Sequence, residues 1–359
     1  MPFCRTKNNT NMQQSETTST IEVQEKHRID GALLQEFMED CVEGFSGKLT
    51  IREFSYGQSN PTYMLTSGNQ RYVMRRKPPG QLLKSAHAID REYKVISALK
   101  STNVPVPKTY AICTDVNVIG TCFYIMEYVQ GRVIADIATG PYSNEDRAQI
   151  FDTANSVVAH LHNVDFEATG LSDFGKHTGY VARQIKLWSA QYEYTKTDEN
   201  PYMDNLIEYL GNQVPEDDSC TIVHGDLQIA NMIFDSQKNE VSAVLDWELS
   251  TLGSPLADFA YLCRFYRDSL RNIDIKSLGI PSEREYVDLY CERTGRSQIS
   301  NWDFYLAFNI FKMAAIQQGI AKRVLDGTAA SQQAADVGAV AYQTAKVAWA
   351  QIDKSVRLD

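Results

Sequence analysis

One segment in the second half of the chain restricts the possible folds more than any other. It reads Ile222-Val-His-Gly-Asp-Leu-Gln-Ile-Ala-Asn-Met-Ile-Phe-Asp235, and after a polar turn the chain continues Ala243-Val-Leu-Asp-Trp-Glu248. The apolar runs 232–234 and 241–245 on either side of the turn are typical of a β-hairpin. Asp226 and Asn231 lie in a polar loop before the first run. The pattern therefore predicts a hairpin that places Asp246 beside Asn231.

These polar residues fit the requirements of phosphoryl transfer. Moving the terminal phosphoryl group of ATP to a hydroxyl needs a carboxylate that orients the acceptor and oxygen ligands that hold magnesium. We interpret Asp226 as the carboxylate base, Asn231 and Asp246 as metal ligands, and Glu248 as a further metal or substrate ligand. Taken singly, each carboxylate is an ordinary turn cap. The joint pattern H-G-D-x-x-x-x-N, strand, turn, strand, D-x-E favours the phosphotransferase interpretation.

Length and charge limit the class of partner. A chain of 359 residues is long enough for two lobes or domains. Its 35 Lys and Arg against 45 Asp and Glu give a net charge of -10, which disfavours a nucleic-acid backbone or an anionic membrane as partner. No apolar run approaches the roughly 20 residues that span a bilayer. We therefore expect a small-molecule partner and no integral membrane association, whereas the oligomeric state is not readable.

The seven cysteines are scattered, without the spacing of a zinc site or a redox pair, which predicts reduced thiols. Residues 1–20 are rich in Ser, Thr, Asn and Gln. We therefore predict that residues 1–24 form a disordered tail. No secretory signal is apparent. We expect a cytoplasmic protein, with a mitochondrial location as the alternative because the first 20 residues are poor in acidic residues.

The first half of the chain is predicted to begin with three short strands from Leu49. Between the first two lies a loop with small polar residues that can cover phosphates and offer backbone N–H groups. The loop residues in question are Gly57, Gln58, Ser59 and Asn60. An ordinary hairpin turn is the competing interpretation, because the G-x-G-x-x-G of protein kinases is absent.

Arg75 ends the third predicted strand, and Glu92 lies in a segment with helical spacing, 85–99. A kinase needs a cation at the α and β phosphates, fixed by a carboxylate on a helix. We predict that Arg75 and Glu92 form this pair. The alternative is a solvated arginine and an exposed helical glutamate.

Two further strands are predicted over 109–113 and 121–129. The second ends in Met126-Glu-Tyr-Val129, which with Gly131 resembles the segment that joins the lobes in kinase-like folds and lies along adenine. The resemblance implies contacts through the Glu127 carbonyl and the Val129 amide. A buried strand that simply ends at a turn is compatible with the same residues.

The rest of the chain is predicted to be mainly helical. Helices are expected from Ser143 to about His162, and over about 301–325 and 331–352. Asp258, near the start of an apolar helix, either anchors the loop that carries Asp226 or caps its own helix.

There is no room for the peptide-docking elements of protein kinases after Glu248, which favours a small-molecule acceptor. From residue 300 onward five Asp stand against six Lys and Arg, which favours an anionic or neutral acceptor over a polycation.

Four further sequence segments indicate a family. They are Gly57-Gln-Ser-Asn-Pro-Thr-Tyr63, Val73-Met-Arg-Arg-Lys-Pro-Pro-Gly80, Ser85-Ala-His-Ala-Ile-Asp-Arg-Glu92 and Val244-Leu-Asp-Trp-Glu-Leu-Ser-Thr-Leu-Gly253. With the H-G-D and D-x-E elements they resemble the aminoglycoside phosphotransferase and choline kinase superfamily. Over residues 25–355 the chain looks most like the kinase-like N-terminal domain of acyl-CoA dehydrogenase family members ten and eleven.

This resemblance implies an α+β, two-lobed protein-kinase-like fold, with a small β-rich N-lobe over 25–129 and a larger helical C-lobe over 130–359. It also implies the use of ATP and Mg²⁺, and an acceptor such as a 4-hydroxy acid or its CoA thioester.

The chain departs from the family pattern at two positions. Gln228 stands where relatives commonly carry a basic residue, and Ala230 where an acid is common. Since lost electrostatic help at a reacting group costs roughly 3 kcal/mol, a nucleotide-binding pseudokinase is the alternative function.

Overall fold

The computed structural model describes residues 19–55, 60–78, 89–216, 219–328 and 334–358. The strands within these ranges are β1 (Thr20–Ile21), β2 (Thr50–Phe54), β3 (Thr62–Ser67), β4 (Gln70–Arg76), β5 (Thr109–Cys113), β6 (Phe123–Glu127), β7 (Arg132–Val133), β8 (Thr221–Val223), β9 (Met232–Phe234), β10 (Val241–Val244) and β11 (Thr251–Gly253). The α-helices are α1 (Gly31–Cys41), α2 (Ile89–Leu99), α3 (Val116–Ile119), α4 (Asn144–His162), α5 (Tyr180–Thr195), α6 (Pro201–Asn212), α7 (Pro255–Cys263), α8 (Glu283–Thr294), α9 (Trp302–Leu325), α10 (Ala334–Ala339) and α11 (Ala341–Trp349).

The chain folds into two compact units. The first contains the residues up to Ile134 together with Ala230–Glu248, and the second contains Ala135–Ile229 and the residues from Leu249 onward. The hairpin β9–β10 joins the first unit because β9 pairs antiparallel with β7, with Arg132 opposite Phe234. The first unit is rich in strands and the second is mainly helical, as the α+β class predicts.

The first unit is built on an antiparallel sheet with the order β1-β2-β3-β4-β6-β5. The three predicted strands from Leu49 are confirmed as β2, β3 and β4, with the β3–β4 turn closed by Ser67 opposite Gln70. Alternation along a strand separates the two faces of this sheet. Tyr72 and Met74 pack into a core with α1, whereas Val73 and Arg75 on the same strand line a cavity on the other face.

Part of the predicted disordered tail forms a β-strand. Residues 1–18 lie outside the described ranges, but residues 19–24 of the predicted tail do not form a tail. Thr20 pairs with Phe54, and the buried Glu53 carboxylate accepts hydrogen bonds from the backbone and side-chain nitrogens of Gln24, both at 3.0 Å. This pairing joins residues that are distant in sequence, so local polarity did not indicate it.

The second unit is organised around two buried helices. All nine residues of α7 are buried, and α9 packs against α5, α7 and α11. The predicted helix after Ser143 is confirmed as α4, whose start is fixed by a capping box between Ser143 and Asp146. Phe259 of α7 stacks on Tyr290 of α8 with ring centroids 3.8 Å apart, which ties these helices together.

The prediction of one long helix over 331–352 was wrong. Within the described residues the chain forms α10 and then α11, with a break at Val340. Gly338 packs so close to α9 that a Cβ there would lie 2.8 Å from Cα of Ala321. Val337 and Val340, on either side of Gly338, are exposed.

The structure also describes the cysteines and the length of the apolar helices. The six cysteines that the structure describes are all free thiols. No helix in the described part of the chain is both long and apolar enough to cross a bilayer.

Candidate active site

A cluster of charges lies on the cavity face of the first unit's sheet. Arg75 places Nη1 2.8 Å from Oε1 of Glu92 on α2, and Nη2 3.2 Å from Oδ1 of Asp246. The same Nη2 is 3.9 Å from Oε2 of Glu248, which also accepts a hydrogen bond of 3.1 Å from Asn60. The structure therefore brings together the predicted phosphate-binding pair and the predicted metal-binding carboxylates.

Negative charge is in excess in this cluster, because three carboxylates share the guanidinium of Arg75. Burial raises the pKa of Glu92 to about 7, an effect that Arg75 opposes and the negative charges of Asp246 and Glu248 reinforce. Burial alone would lower the pKa of Arg75, but Glu92 and Asp246 outweigh it and raise that pKa above its usual range. Arg75 is thus held charged, and the cluster is able to accept a further cation.

The hairpin explains how Asn231 and Asp246 come together. β9 and β10 are antiparallel, with an irregularity between Val241 and Ala243, and the Leu245 amide donates to the Asn231 carbonyl at 2.8 Å. Asp246 has a φ of 66°, in the left-handed region that non-glycine residues rarely adopt. Such backbone strain is frequent at functional sites. The predicted hairpin and the proximity of the two residues are both confirmed.

The cavity beside the charge cluster has a volume of about 330 Å³. Asn231, Asp246, Arg75 and Glu92 form its polar end. The remaining wall is mainly apolar and includes Phe54, Val73, Ile96, Pro107, Tyr124, Met126, Val129, Val133, Ile233, Val244 and Leu245. A cavity with an apolar wall and convergent charges at one end is the usual form of a small-ligand site.

The predicted adenine-contacting residues also line this cavity. Glu127 ends β6 and its carboxylate accepts a hydrogen bond of 3.1 Å from the Lys108 amide, and Val129 follows two residues later. Gly131 is required nearby, since a Cβ there would lie 2.5 Å from the carbonyl oxygen of Phe234. The predicted loop residues Gly57, Gln58 and Ser59 lie outside the described residues, whereas Asn60 is described and buried.

Asp226 belongs to the second unit, in a loop that follows β8. Gly225 has a φ of 84°, and a Cβ there would lie 2.7 Å from the Leu249 carbonyl oxygen, so the position before Asp226 requires glycine. The backbone amides of His224 and Gly225 donate to the two carboxylate oxygens of Asp258, at 2.7 and 2.9 Å. The loop is thus fixed to α7.

These contacts decide between the two interpretations of Asp258. The cap of α7 is Ser254, and Asp258 is an anchor for the loop. Its other partner is His162, whose Nε2 lies 3.3 Å from Oδ2 of Asp258. Burial alone would raise the pKa of Asp258, but the hydrogen bond and charge of His162 outweigh it, and the pKa is lowered.

The Asp226 carboxylate has close partners on both oxygens. Its Oδ1 accepts a hydrogen bond of 2.5 Å from the Tyr261 hydroxyl, and its Oδ2 accepts one of 3.2 Å from the Gln228 amide. Lys312 on α9 donates to the carbonyl of Gly225, next to Asp226, at 2.8 Å. Sequence reasoning missed Tyr261 and Lys312, because neither belongs to a motif. One signal was available: Lys312 is a lone cation in the otherwise largely apolar run 304–316.

The residues of the first unit fit a magnesium ion. Mg²⁺ is commonly held by one or two carboxylates together with phosphate oxygens, rather than by a cage made only of protein groups. Asp246 and Asn231 provide a carboxylate and an amide oxygen in the wall of the cavity, and Glu248 adds a second carboxylate 3.9 Å from Arg75. The described residues contain no cluster of three or more His, Cys, Asp or Glu suited to a metal.

Comparisons with known proteins agree with this picture. Residues 50–290 match the model of the phosphotransferase enzyme family. The chain is 41% identical over 331 residues to mouse acyl-CoA dehydrogenase family member 10, covering 89% of this chain and 31% of that protein. It is 40% identical over 335 residues to rat family member 11, covering 89% and 43%. The chain thus spans less than half the length of these relatives, and the predicted family resemblance is confirmed.

Solved structures support the fold. A crystal structure from Ralstonia eutropha, described as a putative aminoglycoside phosphotransferase, has a TM-score of 0.84 and 45% identity, covering 92% of this chain and all of that one. A thermostable mutant of an aminoglycoside phosphotransferase, in ternary complex with AMP-PNP and hygromycin B, has a TM-score of 0.58 at 15% identity, covering 89% and 98%. The fold is therefore the kinase-like one that the sequence predicted.

Proposed function

Since the chain belongs to the phosphotransferase enzyme family, we propose that it transfers the terminal phosphoryl group of ATP to a hydroxyl of a small molecule, with Mg²⁺. The observation that carries this proposal is the Arg75 cluster, in which a fixed cation and an excess of carboxylates meet at the polar end of an apolar cavity. A magnesium–nucleotide complex needs both kinds of charge.

The cavity of the first unit is the proposed nucleotide site. Its apolar wall suits a purine ring, with the backbone groups of Glu127 and Val129 as hydrogen-bonding partners. Arg75 would contact the phosphates, and Glu92 would hold the guanidinium in place before the nucleotide arrives. Gly57, Gln58, Ser59 and Asn60 would cover the phosphates. The AMP-PNP bound by the aminoglycoside phosphotransferase supports a nucleotide in this fold.

Magnesium would be held by Asn231, Asp246 and Glu248. When bound, the ion neutralises the developing charge on the phosphoryl oxygens. Two of the three carboxylates around Arg75 would then gain a second cation, which relieves their mutual repulsion. Arg75 would at the same time become less tied to Asp246 and more available to the phosphates.

Asp226 is the proposed base. Its carboxylate would accept a hydrogen bond from the acceptor hydroxyl, orient that oxygen toward phosphorus and take its proton as the new O–P bond forms. Hydrogen bonds from Tyr261 and Gln228 fix the orientation of this carboxylate. Asp258 holds the backbone of the two preceding residues, so the base rests on a rigid support.

For the acceptor we propose a hydroxy acid or a hydroxyacyl-CoA thioester. The relatives that match most of this chain carry the name of acyl-CoA dehydrogenases, which handle acyl-CoA esters, and this supports an acyl group in the acceptor. The net charge of -10 argues against nucleic acid as a partner. We propose a cytoplasmic location, with a mitochondrial one as the alternative.

The second candidate function is a nucleotide-binding pseudokinase. It is favoured by Gln228, whose amide contacts Asp226 where a cation would help to balance the phosphoryl charge. Retention of Asp226, Asn231 and Asp246 together favours the active enzyme.

The test is ADP release by the purified protein with ATP and Mg²⁺. The panel of acceptors contains hydroxy acids, hydroxyacyl-CoA thioesters, choline, homoserine and aminoglycosides. Asp226→Asn is the control, and it should lower turnover by roughly two to four orders of magnitude with ATP binding nearly unchanged. Acceptor-dependent release that is lost in the control supports the kinase. Tight nucleotide binding without transfer to any acceptor would support the pseudokinase, and equal turnover in the control would remove Asp226 from its role.

A further inference from the structure

Tyr261 makes a short hydrogen bond to the proposed base. It lies on the buried helix α7, 35 residues after Asp226 in the sequence, and its hydroxyl donates to Oδ1 of Asp226 at 2.5 Å. Only 6% of the residue is exposed. A hydrogen bond from a hydroxyl to a carboxylate is short and about twice as strong as one between neutral groups.

Two cations lie against the ring of Tyr261. The ammonium of Lys312 is 4.6 Å from the ring centroid, and the guanidinium carbon of Arg264 is 4.8 Å from it. Both distances are within the range of cation–π attraction. Positive charge beside the ring favours donation of the phenolic proton toward a carboxylate.

Lys312 is an unusual residue for its place in the fold. It is 8% exposed, and its ammonium donates to the carbonyl of Gly225 and lies 5.7 Å from the ring of Trp188. Burial lowers the pKa of Lys312, against the attraction of Asp226 and Asp258. Burying a charge is costly unless other groups compensate it, so an apolar residue would serve packing better than a lysine does.

We propose that Tyr261 is a positioning residue for Asp226, and that Lys312 supplies through it the positive charge that position 228 lacks. This inference rests on the proposed function, because it gives Asp226 the role of the base. It adds a specific support for that base which the catalytic motif does not contain.

The hydrogen bond has a definite consequence for the reaction. The Tyr261 hydroxyl holds Oδ1 through a short hydrogen bond of 2.5 Å, whereas the bond from the Gln228 amide to Oδ2 is longer, at 3.2 Å, so Oδ2 is the oxygen assigned to the acceptor. The acceptor O–H bond breaks, its proton passes to Oδ2, the acceptor oxygen bonds to phosphorus, and the bond from phosphorus to the ADP oxygen breaks. Burial and the charge of Asp226 raise the pKa of Tyr261, so the phenol stays a donor throughout.

A purely structural role for Tyr261 is the competing explanation, and one substitution separates the two. Tyr261→Phe removes the hydroxyl and keeps the ring. Tyr266→Phe is the matched control, because Tyr266 is equally buried and its hydroxyl donates to the Pro281 carbonyl at 2.9 Å, with no described contact to Asp226. Each change is made in the wild-type chain and in Asp226→Asn, and kcat and the KM for ATP are measured.

The expected result is a fall in kcat of about 5- to 30-fold for Tyr261→Phe, with the KM for ATP within about twofold, as for the loss of one hydrogen bond to a charged group. In the Asp226→Asn background the same change should lower kcat no further, because Tyr261 acts through the carboxylate. Tyr266→Phe should leave kcat within about twofold in both backgrounds. Equal effects of the two tyrosine changes, or an undiminished effect of Tyr261→Phe without the carboxylate, would overturn the proposal.

The charge of Lys312 is tested by Lys312→Met, which keeps most of the volume. The matched control is Lys322→Met, an exposed lysine on the same helix that pairs with Asp326. We expect kcat to fall about tenfold for Lys312→Met with nucleotide affinity unchanged, and no change for the control. An unchanged kcat in Lys312→Met would overturn the role of Lys312, and if that variant does not fold, Lys312→Gln makes the same test.

The failure of this inference differs from the failure of the proposed function. A wild-type protein that transfers to no acceptor refutes both. An active wild-type enzyme with an unaffected Tyr261→Phe variant refutes only the role of Tyr261.

Discussion

The surroundings of Asp246 and Asp226 differ in their balance of charge. Asp246 shares Arg75 with two other carboxylates, so its region of the first unit has more negative than positive charge. Asp226, in the second unit, is held by neutral donors, and a buried ammonium contacts the adjacent residue. The first arrangement suits a group that receives a metal ion. The second suits a group that must remain available to a hydroxyl.

This difference supports the separate roles that are proposed for the two carboxylates of the motif. The environment, more than the residue type, decides what a carboxylate does. Substitutions that change the surroundings of only one of the two carboxylates should therefore have different effects.

The largest effect is expected from Asp246→Asn. Loss of a metal-ligating carboxylate should lower turnover by roughly 10³-fold or more, because the phosphoryl charge is then poorly neutralised. Turnover is measured over a series of Mg²⁺ concentrations. Excess Mg²⁺ should restore part of the activity of Asp246→Asn and none of that lost in Asp226→Asn. Equal recovery in the two variants would contradict the division of roles.

The second effect concerns the support of Asp226. Asp258→Ala should lower the free energy of unfolding by about 3 to 5 kcal/mol, because it leaves two buried backbone amides and His162 without their partner. Urea denaturation measures the change. Asp288→Ala is the control, since Asp288 is an exposed partner of Arg284, and it should change stability by less than about 0.5 kcal/mol. A small effect at Asp258 would mean that the loop does not depend on this anchor.

The third effect is a pH dependence that arises in the first unit. The pKa of Glu92 is about 7 in the folded chain, above its usual value of 4.5, so the folded state binds this proton more tightly than the unfolded state does. Stability from this group is therefore full below pH 4.5 and is lost as the pH rises through 7, by on the order of 2 to 3 kcal/mol. Denaturation curves between pH 5 and 8 should show the loss in the wild-type protein. They should show it reduced in Glu92→Gln, and an unchanged profile in that variant would place the titration elsewhere.

The smallest effect is expected at Gln228. Gln228→Ala removes one hydrogen bond to Asp226 and should lower kcat about two- to fivefold, in keeping with a neutral donor. The measurement is steady-state turnover at saturating ATP. A fall of a hundredfold would show that Gln228 has taken over the task of the missing cation, and the role of Lys312 would then be unnecessary.

Local patterns made much of the fold predictable. The hairpin β9–β10, the strands β2 to β4 and the helix α4 follow from alternation, helical spacing and a capping box. Arg75 was predicted to pair with Glu92, and the structure confirms this pair, whereas the contact between Arg75 and Asp246 was not predicted because the two residues are 171 positions apart.

Contacts between residues distant in sequence limited the rest. The break before α11 depends on the approach of Gly338 to Ala321, and the strand at Thr20 depends on Phe54. Tyr261 and Lys312 reach the Asp226 loop from helices 35 and 87 residues further along the chain. Periodicity assigns such residues to a buried face but does not say which loop they meet there.

Calorimetric titration of a non-hydrolysable ATP analogue, with and without Mg²⁺, tests the separation of roles most directly. We expect Mg²⁺ to tighten binding at least about tenfold in the wild-type protein and in Asp226→Asn, since Asn231, Asp246 and Glu248 would hold the ion and its charge would attract the phosphates. In Asp246→Asn this tightening should disappear at the same Mg²⁺ concentration, although excess Mg²⁺ should restore part of it. Loss of the Mg²⁺ effect in Asp226→Asn, or its survival at that concentration in Asp246→Asn, would contradict the assignment of the metal to the first unit and of the base to the second.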